Sequence, residues 1–388
     1  MPRFALALAI VLPIVSHAQL QEVRIGLLRD LVVRNAIVVI GPGGAALEID
    51  GHKVADLKAN DGLRIERTAS GLVARSLSSS WEATDRLLVI PRGKGGGFSL
   101  RSLDHKMADR TYPGWLQVRT GVGRLVLVVQ APLEEYVAGV VRSEAGKDQH
   151  IEYYKVQAVI CRTYALANLR KHLADGYQLC DGTHCQVFHG RAEYEPILAA
   201  ARATHGMVLV DADIRLIHAT FHSNCGGETM NAEDVWSKPE PYLCATSDSA
   251  CLRSPHARWQ KILGRNEWLG YLQRKYGVDT NDARVVDAVT RHAPDCRELY
   301  LAGITPLIPI EEVRDDWRLN SAYFEISAMG DQVIFTGRGF GHGVGLCQEG
   351  AMQMARNGAD FTTVLHHYYN GVHLVDLSNL DFFRDDGR

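Results

Sequence analysis

Short apolar runs separated by polar turns occupy the first third of the chain, at residues 23–28, 36–40, 87–90, 116–118 and 125–129. Gly41-Pro42-Gly43-Gly44 and the glycine tract at 93–97 interrupt them, and runs bounded by such turns read as strands. After Pro132 the period changes. Leu133, Val137, Val140 and Glu144 recur at helical spacing, Glu134 and Glu135 suit a first turn, and Gly146 suits a helix end. A second helix is predicted over 151–172 from the stripe Tyr154, Ala158, Cys161, Ala165 and Leu169. Residues 207–227 read as strands and a turn, 268–276 and 283–292 as helices, and 333–335 as a strand. A helix is then expected over 348–357, and Asp360 should cap a last helix ending at Gly371. Strands first and mixed helices and strands afterwards predict an α+β fold.

The extreme N-terminus is patterned differently. Arg3 precedes an apolar run over 4–15, and Ser16-His17-Ala18 leaves small residues where a signal peptidase reads. The expectation is a leader over 1–18, export to the periplasm or the cell surface, and a mature chain from about Gln19. The run is shorter than the roughly twenty residues of a membrane span, so no span is expected in the mature chain. With 42 basic and 45 acidic residues and no long basic run, nothing suggests a nucleic-acid partner. Eight cysteines follow the leader, and export makes disulfides their default reading, with Cys225 to Cys244 or Cys251 as one candidate bridge.

Several segments carry candidate chemistry. Glu144 continues an apolar stripe near a helix end, where partial burial would raise a carboxyl pKa toward that of a general acid; the competing reading is a helix-terminal glutamate turned to water. Cys180-Asp181-Gly182-Thr183-His184-Cys185, with His172 upstream, offers four ligands suited to a structural zinc, against a disulfide flanked by ordinary histidines. Between Gly337 and Gly345 five glycines alternate with Arg338, Phe340, His342 and Val344, either for close approach of a ligand or for positive φ. No lysine and Ser/Thr follow the last glycine, which excludes a P-loop. The turn from Phe221 to Thr229 is rich in amides and hydroxyls. Cys161 lies in an apolar stripe and reads as a buried, inert thiol.

Taken in order, 133–144, 155–165, 180–186, 221–229, Val235-Trp236 with 241–243, 337–345 and 366–369 resemble the SpoIID/LytB family, whose names refer to stage II sporulation protein D and an amidase enhancer. The resemblance covers about 110–375 and is thin over 260–310. It implies a β-rich region over 19–109, a SpoIID-like domain over 110–375 and a tail over 376–388. It further implies a lytic transglycosylase acting on peptide-stripped peptidoglycan glycan strands, with Glu144 as the single acid/base. Tyr136, Arg162, Ser223, His342 and Gln348 are the expected substrate contacts, and His172, Cys180, His184 and Cys185 the ligands of a structural zinc. Cys225 stands where many members carry Ser or Thr, and Cys347 also departs from the pattern, so a Cys225 to Cys347 bridge is a further expectation. A rival role is a non-catalytic glycan-binding partner of a cell-wall amidase; a weaker one is a zinc hydrolase using Cys180, His184 and Cys185.

Overall fold

In a computed structural model, residues 22–93 and 95–379 are described. The expected leader over 1–18 and most of the tail lie outside them. The fold is α+β, and the described residues divide into two units: the first runs to Val140 and includes Leu169–Arg191, the second comprises Val141–Asn168 and the chain from Ala192 onward. The described residues form nine α-helices: α1 Leu133–Ala145, α2 Ile151–Ala167, α3 Glu195–Ala203, α4 Ala232–Trp236, α5 Arg265–Tyr276, α6 Ala283–Thr290, α7 Ile310–Trp317, α8 Gln348–Arg356 and α9 Phe361–Tyr368.

The first unit holds a seven-stranded and a six-stranded sheet. Alternation sets their inward faces. In Asn35–Ile40 the residues Ala36, Val38 and Ile40 are buried while those between are partly or fully exposed, and Arg124–Pro132 buries Leu125, Leu127, Val129 and Ala131. Strand Glu22–Leu27 pairs antiparallel with Arg124–Pro132 and parallel with the two-residue strand Leu179–Cys180. That parallel pair is what brings the cysteine-histidine segment to the edge of the larger sheet. The expected boundary at 109/110 falls at the start of strand Arg110–Pro113, which pairs with Gly97–Ser102.

In the second unit α2 packs against α3, α8 and α9. Its burial is broader than one stripe: Gln157, Arg162 and Thr163 are as buried as Ala158 and Cys161. It also ends earlier than 172. Asn168 leaves helical geometry, and its side-chain amide donates to Tyr164 O, so the chain breaks there and a 3-10 turn follows at Leu173–Asp175. The last helix likewise stops at Tyr368 instead of reaching Gly371. Residues 258–338, which contain the stretch 260–310 where the family resemblance is thin, build a three-stranded antiparallel sheet with α5, α6 and α7 around a core of Trp268, Leu272, Val289, Val313, Phe324 and Phe335.

Candidate functional site

Glu144 sits one residue before the end of α1. Leu133, Val137 and Val140 on the same stripe are buried, while Glu144 itself is partly exposed. Gly146, with φ +71°, turns the chain off the helix, and the turn is pinned by Tyr154, whose hydroxyl donates to Gly146 O (3.2 Å) and accepts from Gln149 N (3.1 Å). His150 then caps α2 by accepting from Glu152 N. The fully buried Tyr153 hydroxyl accepts from Gln157 Nε2 (3.0 Å), and burial holds its pKa well above the usual phenol value, with the charges of Cys161, Glu144 and Cys347 adding to the effect. Glu144, the start of α2 and the start of α8 therefore share one neighbourhood. Gln348, the first residue of α8, contributes a buried Nε2 that has no hydrogen-bond partner.

The glycine loop has a defined task. Gly339, Gly341, Gly343 and Gly345 all take φ between +72° and +111°, which only glycine adopts without strain. This backbone pairs with protein: Phe340 N and O bond to Asn224 O and N (2.7 and 3.0 Å), Met230 N donates to Gly343 O (2.8 Å), and Gly341 N donates to Asn320 O (2.8 Å). Both ring nitrogens of His342 are engaged, Nε2 with Phe221 O (3.1 Å) and Nδ1 accepting from Val344 N (3.1 Å). Burial pushes its pKa down to about 4, so it is a neutral ring that fixes the loop.

Two further expected contacts are placed in interiors. Tyr136 is fully buried in the first unit, donating to Gln186 Oε1 (3.3 Å) and packing on Phe188 with centroids 5.0 Å apart. Arg162 is fully buried in the second, where its guanidinium donates to Ala158 O (3.3 Å) and Met207 O (3.0 Å) and so ties α2 to the strand Met207–Val210. Ser223 does reach a polar surface cluster that the sequence reading missed. Its Oγ is 3.5 Å from His256 Nδ1, which lies 2.7 Å from Glu349 Oε1, while Asn224 Nδ2 donates to Glu349 Oε2 (2.6 Å). His256 and Glu349 are 93 residues apart, and no spacing signal connects them.

His172, Cys180, His184 and Cys185 do converge, all in the first unit, with their ligand atoms within 4.8 Å of one another. His172 Nε2 is 3.2 Å from His184 Nδ1, and Cys180 Sγ is 3.9 Å from the same nitrogen. Tetrahedral zinc with ordinary bond lengths needs about 3.3 Å between two nitrogens and about 3.6 Å between nitrogen and sulfur, so the donors fit. His172 Nδ1 is 2.9 Å from Asp175 Oδ2, the carboxylate-to-histidine arrangement that orients a metal-binding imidazole. A hydrogen bond from the Cys185 thiol, with further ones from Gly182 and His184, holds the Cys180 pKa well below the usual thiol value. None of the eight cysteines is joined in a disulfide. The Cys225 to Cys347 bridge is therefore not formed; Cys225 N instead donates to Cys347 Sγ (3.3 Å). Cys161 is buried and donates to Gln157 Oε1, as its stripe position predicted.

A family model described as SpoIID, stage II sporulation protein, matches residues 122–210, which include α1, α2 and the cysteine-histidine segment. The chain is 32% identical over 265 residues to the stage II sporulation protein D of Bacillus subtilis (strain 168), spanning 64% of this chain and 76% of that protein. It is 30% identical over 272 residues to the protein of the same name from Bacillus amyloliquefaciens, spanning 66% and 77%. To the amidase enhancer of Bacillus subtilis (strain 168) it is 24% identical over 288 residues, spanning 61% and 40%. Among the described residues no helix is long and apolar enough to cross a membrane.

Proposed function

The chain belongs to the SpoIID (stage II sporulation protein) family, and from that premise we propose that it is an exported lytic transglycosylase that cleaves peptide-stripped peptidoglycan glycan strands with Glu144 as its acid/base. The observation that carries this reading is the setting of Glu144: a partly exposed carboxyl at the end of α1, sharing a neighbourhood with the buried Tyr153 and the start of α8. A helix C-terminus and partial burial are conditions under which a neutral acid is favoured.

In this reading Glu144 gives its proton to the glycosidic oxygen that follows an N-acetylmuramic acid residue, and the C1–O bond breaks. As carboxylate it then takes the proton of that sugar's own C6 hydroxyl, whose oxygen bonds to C1. One carboxyl serves both steps and no water is consumed, whereas hydrolysis commonly uses a pair of carboxyls. The unpartnered Nε2 of Gln348 is a donor suited to a sugar oxygen, and Ser223 offers a hydroxyl on the polar cluster. His172, Cys180, His184 and Cys185 would hold a zinc ion; four protein ligands close such a site, so the metal would cross-link the chain without taking part in turnover.

Digestion of amidase-treated glycan by the purified chain tests the proposal. We expect 1,6-anhydro ends from the native protein and their loss in Glu144→Gln without loss of folding; products that lack anhydro ends, or a variant as active as the native protein, would defeat it. The similarity to an amidase enhancer favours one other reading, in which the chain binds glycan and stimulates an amidase without cleaving. That reading predicts no products from the chain alone and faster release of stem peptides by an added amidase.

A further inference from the structure

The second unit contains a set of metal-ligating side chains to which the proposed reaction assigns no role. Cys225, Asp248, Cys251 and Cys347 come from separate segments: the polar turn, the 3-10 turn at Ala250–Arg253 with the residues before it, and the strand Leu346–Cys347 that runs into α8. All four are 0–2% exposed, and one ligand atom from each lies within 4.8 Å of the others. Cys225 Sγ is 3.4 Å from Cys251 Sγ and 3.3 Å from Asp248 Oδ2. A disulfide needs about 2.0 Å between sulfurs, whereas a tetrahedral zinc needs about 3.8 Å between two sulfurs and about 3.5 Å between sulfur and oxygen.

We propose that Cys225, Asp248, Cys251 and Cys347 form a buried zinc site, separate from the cysteine-histidine set of the first unit. The surroundings are those of a metal-thiolate centre. Cys225 N and Gly350 N donate to Cys347 Sγ at 3.3 and 3.4 Å. Asp248 is oriented by the Tyr368 hydroxyl on Oδ2 (2.9 Å) and by Ala250 N on Oδ1 (3.0 Å), as outer hydrogen bonds orient a ligating carboxylate. Gly350 leaves the space this needs, since an added Cβ would overlap the Asp248 carboxylate and the Tyr368 hydroxyl. The buried guanidinium of Arg297, donating to Cys225 O and Glu228 O, supplies positive charge beside an anionic ligand set.

The donor chemistry selects the ion. Three sulfurs and one oxygen favour zinc over calcium or magnesium. Three thiols in one cavity also cannot all be consumed by disulfides among themselves, whereas one tetrahedral ion uses all three and the carboxylate. Strand Phe221–His222 pairs in parallel with Leu346–Cys347. The ion would fasten this short pair and the start of α8 to the polar turn, and so hold Ser223, Gln348 and Glu349 in register.

The test is metal content of the full chain, purified without chelating resin under reducing conditions. We expect about two zinc ions per chain, one remaining in a Cys180→Ser, Cys185→Ser double variant, and none once Cys251→Ser is added. X-ray absorption on the double variant should show about three sulfur neighbours per zinc. A double variant without zinc, or one whose zinc survives Cys251→Ser, would overturn the proposal. Should that variant fail to fold, the native protein decides: two zinc ions averaging about 2.5 sulfurs, or one with about three, support the site. One zinc with about two sulfurs, or an unreduced mass lighter by two hydrogens mapped to Cys225 and Cys251, refutes it.

Discussion

Two adjacent buried tyrosines allow the hydrogen bonding around Asp248 to be weighed. Tyr368 is 1% exposed and donates to the Asp248 carboxylate at 2.9 Å, while Tyr369 is 0% exposed and donates to the neutral carbonyl of Thr220 at 2.8 Å. Replacing either by phenylalanine removes one oxygen and leaves the ring in place. A bond to a charged group is worth about 1.5–3 kcal/mol and a neutral one about 1 kcal/mol, so Tyr368→Phe should cost about 2 kcal/mol and Tyr369→Phe about half that. For a unit of roughly 200 residues, 2 kcal/mol lowers Tm by about 4–8 °C. Urea denaturation followed by fluorescence and calorimetry, with unchanged slope against urea, gives both values. If Tyr369→Phe costs as much as Tyr368→Phe, or if both cost under about 0.5 kcal/mol, the Tyr368 bond is not the charge-assisted one inferred here.

Three other outcomes follow from the packing and the charges. Asp50 accepts from Thr84 N and Oγ1, Asp85 N and Arg86 N at 2.8–2.9 Å, which holds its pKa below the usual carboxylate range. Its contribution is present above about pH 4 and lost as pH falls further, so Asp50→Ala should cost about 1–2 kcal/mol at pH 7 by urea midpoint and less at pH 3. His342, lowered to about 4 by burial, acts in the opposite chemical sense with the same pH direction: the unfolded ring protonates first, so stability is full above about 6.5 and falls by about 2 kcal/mol by pH 5. His342→Gln should flatten the urea midpoint between pH 7 and 5, and an unchanged slope would refute the assignment. Trp268→Ala empties the centre of the 258–338 core and strands Val289 O, its 2.9 Å partner. It should cost about 3–5 kcal/mol, read by hydrogen exchange as lost protection over 258–338 with the strands of the first unit unchanged.

Periodicity carried far in this chain because helices and strands answer to local pattern. The stripe Leu133, Val137, Val140 and Glu144 gave α1 nearly to the residue, and the apolar runs gave five of the sheet strands. Helix ends were less legible: Asn168 stops α2 through a side-chain bond to Tyr164 O, which the apolar stripe running on to Leu169 conceals. Residue type alone also did not tell where side chains would find their partners. Tyr136, Arg162 and His342 are polar side chains of the kind that contact sugars, yet each spends its hydrogen bonds inside the protein.

The sequence by itself determined the α+β class, the helix that carries Glu144, and the cysteine-histidine set whose members lie within fourteen residues of one another. Only the tertiary structure decided that His256 meets Glu349, that the alternating glycines serve pairing with the turn at 224–230, and that Cys225, Asp248, Cys251 and Cys347 share one cavity. The reason is physical: local spacing fixes which side chains share a face over a few turns, whereas contacts across more than ninety residues depend on how short strands and loops close together, and that is set by burial and backbone pairing summed over the whole unit.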